Sequence, residues 1–306
     1  MRLTQPDDGF AGAPVETDLD RLAADVAIVG IPYGWPYPHP GATAGCALAP
    51  TAVRRRAKRL ARFRDHWDFD LGGPMLPAEG GPRIVDVGDI PGDATDGPGN
   101  AVRTEAAIRS ILERGAVPIC IGGDDSVPIP ILRAFADRGP LTILHVDAHL
   151  DFRDEISGVR DGYSSPMRRA SEMAHVARIV QVGLRGVGSA RAAEIETAIQ
   201  AGSVIVTARQ LRDDGVAAVL ERIPSDASMF VAFDTDGLDP SVCPAVSAPA
   251  PGGITWDEAS DLLGGVGARL VGASFTELVP ALDINELSAL VVARLMIRLI
   301  GGVPRR

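Results

Sequence analysis

Cysteines are scarce in the sequence, and their arrangement argues against a disulfide framework. The 306 residues include three, Cys46, Cys120 and Cys243, and no two of them have the CxxC spacing of redox and zinc motifs. Reducing compartments keep thiols free, whereas small secreted proteins depend on paired cysteines. The N-terminal segment MRLTQPDDGF also lacks the apolar stretch of a secretory signal. We therefore expect a cytoplasmic protein.

Long hydrophobic runs and an excess of positive charge are also lacking. No apolar run reaches the roughly 18 residues that a membrane-spanning helix needs. Lys and Arg total 30 against 40 Asp and Glu, so the formal net charge is −10. An acidic surface argues against nucleic acid and anionic membranes as partners. It suits a small cationic substrate, although the same excess also serves solubility alone.

The sequence does contain short apolar runs that alternate with helical segments. Nearly continuous apolar runs are typical of strands covered on both faces of a parallel sheet. Their alternation with helices predicts an α/β fold, a three-layer α/β/α sandwich with a mostly parallel sheet of about eight strands. No linker or repeat interrupts residues 1–306, so we expect a single domain. The predicted strands are Val26–Ile31, Arg83–Val87, Val117–Ile121, Leu141–Val146, Ile179–Leu184, Val204–Val206, Met229–Phe233 and Val271–Phe275, and the predicted helices include Ala49–Leu60, Ala101–Arg114, Ser189–Ala201, Asp257–Gly264 and Asn285–Leu299.

Acidic clusters follow three of these strands directly. They are GGDDS at 122–126, DAHLD at 147–151 and DTDGLDP at 234–240. Ligands of open α/β sheets bind at the carboxyl ends of the strands, which is where these clusters fall. A single Asp at such a point is usually a turn former or a helix cap. Three clusters at three strand ends favour a functional site instead.

The spacing within these clusters predicts a metal centre. Alternate residues of an extended segment point the same way, so Asp147, His149 and Asp151 share one direction, and Asp234 and Asp236 share another. Converging carboxylates repel one another unless cations bind between them. Oxygen ligands with an imidazole suit Mn²⁺, and this many ligands predicts two ions roughly 3.5–4 Å apart. His145 lies one step deeper in its strand, where we expect it to support the site or the core rather than bind metal.

The order of GGD-x-S, DAHxD and DxDxxDP along the chain resembles the three signatures of the ureohydrolase family, which includes arginases and agmatinases. The resemblance extends over roughly residues 24 to 300, nearly the whole chain. Further segments that are similar to the family are GIPY at 30–33, PGA at 40–42, Pro50 through Arg54, DVGD at 86–89, QVGLRG at 181–186, PGG at 251–253 and TELVP at 276–280.

The resemblance implies a hydrolase that uses two divalent ions to cleave a linear guanidino compound into urea and an amine. It implies Mn²⁺, with Ni²⁺ as the alternative because some guanidine-cleaving relatives use it. Glu277 would accept hydrogen bonds from the planar guanidinium. The family also forms trimers or hexamers, so we expect a homotrimer or homohexamer. The implied metal ligands are Asp125 and Asp151 at the first ion, His149 and Asp236 at the second, and Asp147 and Asp234 between them; the implied catalytic residues are Asp147, His149, Glu277 and Tyr163.

Three positions depart from the family pattern. Asp125 stands where the family has a His ligand, which would give the first ion oxygen ligands alone or leave it weakly bound. Tyr163 stands where a loop His helps to move protons, and the ordinary Tyr pKa near 10 makes it poorly suited to that task. Ala250 replaces a Glu of agmatinases. These changes leave the substrate open among agmatine, a guanidino acid and a small guanidine.

Two loops supply further candidates for substrate contacts. Arg153 or Arg160 would meet a substrate carboxylate, unless both pair with their acidic neighbours at the surface. Trp35 and His39, with Tyr37 between them, would stack on a flat cation, unless they pack only against other loops.

The departures also leave two other interpretations of the chain open. One is a catalytically silent subunit that supports an active paralogue in a mixed oligomer. Against it, most of the metal-binding positions and Glu277 are intact, and unneutralised buried carboxylates are costly to retain. The other is a deacetylase-like relative of the same fold, which the signature order disfavours.

Overall fold

The computed structural model describes residues 1–38, 44–76 and 80–305, and one parallel sheet forms its centre. Eight strands pair in the order β4-β1-β5-β10-β9-β6-β7-β8, and every pairing in this sheet is parallel. A two-residue antiparallel pair, β2 and β3, lies apart from it. The strands are β1 Val26–Ile31, β2 Trp67–Asp68, β3 Gly73–Pro74, β4 Ile84–Asp89, β5 Val117–Gly122, β6 Leu141–Val146, β7 Val176–Leu184, β8 Val204–Thr207, β9 Ser228–Asp234 and β10 Leu270–Thr276.

Helices cover both faces of the sheet, so the predicted α/β/α sandwich is confirmed. Helices α1, α6, α7 and α8 contribute to the core on one face, and α2, α3, α4 and α5 to the core on the other. None of the helices in the described ranges is both long and apolar enough to cross a bilayer. The helices are α1 Ala49–Lys58, α2 Gly97–Glu113, α3 Pro128–Arg133, α4 Pro166–Ser171, α5 Ala192–Gln200, α6 Ala208–Leu220, α7 Trp256–Val266 and α8 Leu287–Ile300.

The apolar runs become strands because both of their faces are buried. In β1 every residue is buried, and its side chains alternate between the two cores. Val26 and Ile28 belong to one core, and Ala27 and Val29 belong to the other. A continuous apolar run in the sequence is therefore the pattern that a strand between two helical layers requires.

All eight predicted strands are present; the differences lie at strand ends, at helix ends (α2 begins at Gly97 rather than Ala101) and in three helices that were not predicted. Strand β7 begins at Val176, whereas the prediction began at Ile179. The apolar pattern missed the first residues of the strand because they are partly exposed and less apolar. Helices α3 and α4 have six residues each and escape a periodicity argument. Helix α6 is interrupted by Gly215 at φ 81°, although the Thr207 and Gln210 capping box marks its start.

The N-terminal segment binds along β4, the edge strand of the sheet. Thr4 and Asp89 exchange two backbone hydrogen bonds of 2.8 and 3.0 Å. Asp86 donates its backbone N–H to Pro14, and its carbonyl accepts from Glu16. The backbone groups of β4 that face away from β1 are thus partly paired within the chain.

A buried ion pair fixes this edge to helix α1. The Arg54 guanidinium donates to both carboxylate oxygens of Asp86 at 2.8 and 3.0 Å, and it also contacts Asp89. Asp86 accepts further backbone hydrogen bonds from Phe10 and Gly88. Both side chains of the pair are almost fully buried, so neither charge has water to replace a lost partner.

Strands β5, β10, β9 and β6 are neighbours in the middle of the sheet. Adjacent strands lie about 4.8 Å apart, so the residues that follow these four strands must share a small volume. The three acidic clusters of the sequence follow β5, β6 and β9. The strand order therefore brings together carboxylates that are far apart in the sequence, such as Asp125 and Asp236, which are 111 positions apart.

We predict that Arg54→Ala destabilises the protein by about 3–5 kcal/mol, because it leaves the buried Asp86 carboxylate without its cation. Urea unfolding followed by circular dichroism measures this change. Arg55→Ala on the same helix is the control. Arg55 pairs with Glu286 at the surface, and its loss should cost about 0–1 kcal/mol. Equal effects of the two substitutions would contradict a special role for the buried pair.

Candidate metal centre

The candidate site lies where the four central strands end. Asp125 follows β5, Asp147 follows β6, Asp234 ends β9 and Glu277 follows β10. All four side chains are buried or nearly so, and they lie at the floor of a cavity of about 420 Å³ or directly beside it. The topology thus gathers acidic groups at the base of an opening large enough for a small molecule.

Two groups of side chains that could hold a metal ion share one member. Asp125, His145, Asp147 and Asp151 form the first group, and Asp147, His149 and Asp236 form the second. Within each group one ligand atom per residue lies within 4.8 Å of the others. Asp147 therefore stands between two potential ions, which is the position that the family resemblance implies for it.

The buried carboxylates disfavour one another's charges. Burial raises the pKa values of Asp125 and Asp151 well above their ordinary range, and the nearby Asp147 charge raises both further. Burial raises the pKa of Asp234, and the charges of Asp236 and Asp147 raise it further. Such a set of groups holds protons until cations replace them, which is the behaviour of an ion-binding site.

An unpaired oxygen points to direct coordination. Asp125 Oδ2 is buried and has no hydrogen-bond partner among the described residues. The other oxygen of Asp125 accepts a hydrogen bond of 2.5 Å from the Thr276 hydroxyl, which fixes the orientation of the carboxylate. A buried oxygen without a partner is costly, and a divalent ion would satisfy it. The residues present therefore fit a metal ion, and Asp125 fits as a ligand in place of the family His.

His149 holds a proton at the second group. Its Nδ1 lies 3.0 Å from Asp236 Oδ2 and 3.4 Å from Asp147 Oδ1. These two carboxylates raise the pKa of His149 to about 10. Burial alone would raise the pKa of Asp147, but the imidazoles of His145 and His149 lower it below its ordinary value. A cation bound by His149 must displace that proton.

His145 supports the centre rather than binding the ion. The Gln181 amide nitrogen lies 2.8 Å from the Leu150 carbonyl, which can only accept, so this atom is the amide donor. The same nitrogen lies 3.1 Å from His145 Nδ1, which therefore accepts. The ring proton is then on Nε2, 3.0 Å from Asp147 Oδ2, and the lone pair that a metal would need is absent there.

Glu277 is held in a strained conformation beside the carboxylates. Its φ is +63°, uncommon for a residue with a side chain. Asp125 donates its backbone N–H to Oε1 at 2.9 Å, and the Cys46 thiol lies 3.6 Å from Oε2. Burial and the Asp124 charge raise the pKa of Glu277 to about 8. Sequence reasoning missed Cys46, since no spacing links it to Glu277.

Tyr163 lines the cavity above these groups. Its ring centroid lies 4.4 Å from that of Tyr37, whose hydroxyl accepts from the Ser164 backbone N–H at 3.2 Å. Burial raises the pKa of Tyr163 above its ordinary value, so the hydroxyl keeps its proton near neutral pH. Tyr163 thus lies at the wall of the cavity with its hydroxyl protonated.

The structure does not bring every predicted substrate residue to the cavity. Arg153 pairs with Glu194 at 2.6 Å, so its charge is neutralised outside the cavity. Arg160 is exposed and pairs with Asp154. Trp35 packs against Gly97 instead of facing the site. His39 lies outside the described residues.

Comparisons with known proteins agree with this geometry. A model of the arginase family matches residues 24–301. The guanidinopropionase of Pseudomonas aeruginosa is 31% identical over 95% of this chain and 92% of its own. The mitochondrial agmatinase of Gallus gallus is 28% identical over 95% and 84%. The solved structure of proclavaminate amidino hydrolase from Streptomyces clavuligerus covers 99% of this chain and 98% of its own, with TM-score 0.85 and 25% identity.

We predict that Thr276→Val weakens binding of Mn²⁺ by about 10–100-fold, because Asp125 loses the hydroxyl that orients it. Isothermal titration calorimetry on metal-stripped protein measures the affinity. The control is Ser274→Ala on the same strand. The Ser274 hydroxyl is buried without a hydrogen-bond partner among the described residues, so Mn²⁺ affinity should stay unchanged. An unaltered Mn²⁺ affinity in Thr276→Val would contradict the role of the Thr276 hydroxyl in orienting Asp125.

We predict that the metal-free protein loses stability as pH rises from 5 to 9. Its pKa values of about 6 for Asp236, 8 for Glu277 and 10 for His149 all lie above the ordinary values. The folded state therefore binds more protons than the unfolded state in this window, and stability falls as those protons leave. Urea unfolding in EDTA at pH 5, 7 and 9 measures the trend. Added Mn²⁺ should restore most stability at pH 9, and stability that rises with pH in EDTA would contradict the assignment.

Proposed function

The chain belongs to the arginase family of hydrolases, which act on carbon–nitrogen bonds of guanidino compounds, and we propose that its cavity cleaves a linear guanidino compound into urea and an amine with two divalent ions. The observation that carries this proposal is the pair of ligand groups joined at Asp147, with the buried Glu277 carboxylate beside them. That arrangement could hold two metal ions and could also accept hydrogen bonds from the planar guanidinium of a substrate.

Six side chains would hold the ions in this proposal. Asp125 and Asp151 would serve the first, His149 and Asp236 the second, and Asp147 and Asp234 both. Five carboxylates and one imidazole are hard ligands on the whole, which favours Mn²⁺, with Ni²⁺ as the second choice. When bound, two such ions would make water acidic enough to supply a nucleophile near neutral pH.

The remaining side chains would bind and orient the substrate. Glu277 would accept hydrogen bonds from the guanidinium, for which a carboxylate has the matching planar geometry. Its oxygens are already directed by Asp125 N–H and by the Cys46 thiol. The thiol is a weak donor, so a guanidinium N–H can take its place without leaving a strong hydrogen bond unsatisfied. Tyr163 would donate or accept one hydrogen bond but would not carry protons at neutral pH.

The departures at positions 125, 163 and 250 change the site without removing its parts. Asp125 keeps a buried oxygen directed at the first group. Ala250 contributes only its carbonyl, which accepts from Arg185 at 2.8 and 3.0 Å. We therefore favour an active enzyme over a silent subunit. A homotrimer or homohexamer remains a prediction, which analytical ultracentrifugation would test.

The test of the proposal is metal content together with urea release. Purified protein loaded with Mn²⁺ or Ni²⁺ is analysed by mass spectrometry for metal and assayed with a panel of guanidino compounds. About two ions per chain and urea from one compound class would support the proposal. One ion or none, with no urea from any compound, would overturn it and favour the silent subunit.

We predict that Glu277→Gln lowers kcat/KM for urea release by about 100-fold or more, because the amide offers only one acceptor to the guanidinium and carries no charge. Metal content should remain near two ions per chain, because Glu277 is not among the proposed ligands. Glu194→Gln is the control, since Glu194 pairs with Arg153 outside the cavity and should change kcat/KM by less than about threefold. A loss of metal in Glu277→Gln would contradict its assignment to the substrate.

A further inference from the structure

The described residues of the cavity wall above the candidate ligands carry no positive charge. This wall is formed by small, apolar and hydroxyl side chains, among them Ile156, Tyr163, Val187, Ser189 and Ser247. No Lys or Arg lines the cavity among the described residues. The segment 39–43 reads HPGAT in the sequence, so it adds no Lys or Arg either. Among the described residues, a substrate carboxylate would therefore find hydroxyl groups at this wall but no Lys or Arg.

Two arginines of segments that flank the cavity, Arg153 and Arg185, are committed to other partners. Arg153 forms a salt bridge of 2.6 Å with Glu194, and less than a fifth of each side chain is exposed. Arg185 donates to the backbone carbonyls of residues 183, 236, 237, 238 and 250. To meet a substrate, either side chain would have to leave buried acceptors without donors, which is costly. Neither is a free cation that waits for a carboxylate.

The floor of the cavity stays negative even with two ions bound. Six carboxylates, those of Asp125, Asp147, Asp151, Asp234, Asp236 and Glu277, would face the two proposed divalent ions, which would leave a formal charge of about −2 when all six are ionised. One guanidinium neutralises half of it. The far end of the substrate would then lie over a negative site from which protein atoms exclude part of the water, so repulsion between like charges would be stronger there than in bulk water.

From the uncharged wall, the committed arginines and the negative floor, we propose that the cavity selects guanidino compounds whose far end is an amine, accepts a neutral far end less well and discriminates against guanidino acids. The inference rests on the proposed function, since it assumes that the guanidinium lies at Glu277. The cavity is about 420 Å³, which is enough for a chain of about four carbons between the two ends.

The experiment compares three probes that differ only at the far end: 4-aminobutylguanidine, 4-hydroxybutylguanidine and 5-guanidinopentanoate. Urea release by the Mn²⁺-loaded protein gives kcat/KM for each. We expect the amine to exceed the acid by at least tenfold, with the alcohol between them, and the ratio to shrink as salt screens the charges. A kcat/KM for the acid equal to or above that of the amine would overturn the inference while leaving the proposed function intact.

Two variants test the physical cause. Ala248→Lys adds a cation to an exposed position of the cavity wall, and it should move the amine-to-acid ratio toward the acid by tenfold or more. Arg153→Gln is the control and should leave that ratio unchanged, because Arg153 is engaged by Glu194. If Arg153→Gln lowered only the hydrolysis of 5-guanidinopentanoate, this arginine would bind the substrate carboxylate, and the inference would be overturned.

If no compound yields urea, the proposed function fails, and binding still decides the selectivity. Calorimetric titration of the Mn²⁺-loaded protein with the same three probes measures affinity without turnover. Tighter binding of the amine than of the acid, by tenfold or more, would support the selectivity of the cavity on its own. Equal affinities, or none for any probe, would overturn it.

Discussion

Repulsion among carboxylates at the ends of neighbouring strands is the constraint on which the rest of the structure depends. Asp125, Asp147 and Asp234 come from three of four adjacent strands, and burial denies their charges the screening of water. In the absence of cations, bound protons reduce this repulsion, such as the proton that His149 holds between Asp147 and Asp236. The same arrangement that makes the metal-free fold costly makes the site bind divalent ions strongly.

The surrounding structure keeps these groups in place by hydrogen bonds that leave one oxygen or nitrogen of each directed inward. Thr276 fixes Asp125, and Gln181 fixes the tautomer of His145 beside Asp147. Asp151 and Glu277 both adopt positive φ. Such backbone strain costs of order 1–3 kcal/mol at each residue and persists where the neighbouring structure over-determines it. Both residues lie in the site, and four other non-glycine residues of the described ranges, among them Ala11 and Ser157, also have positive φ.

The sequence allowed the scaffold and the floor of the site to be predicted, but not its walls. The eight strands could be located because continuous apolar runs such as Val26–Ile31 have few alternatives between two helical layers. The carboxylates could be assigned because they follow those runs directly. Trp35 and Arg153 could not, because a loop side chain chooses among several partners. Arg153 meets Glu194, 41 positions away, and Cys46 meets Glu277, 231 positions away, without any local pattern that announces either contact.

The N-terminal segment along β4 has a consequence for how the molecule behaves among other copies of itself. An open strand edge offers unpaired backbone groups that invite pairing with another chain and, in crowded solution, aggregation. Here Thr4, Pro14 and Glu16 occupy backbone groups of β4, while the opposite edge, β8, has only four residues. The Arg54 and Asp86 pair anchors the covered edge through Phe10. The centre of the sheet must remain open to ligands. Residues far from the candidate metal centre thus keep the edges of this sheet from pairing with strands of other molecules.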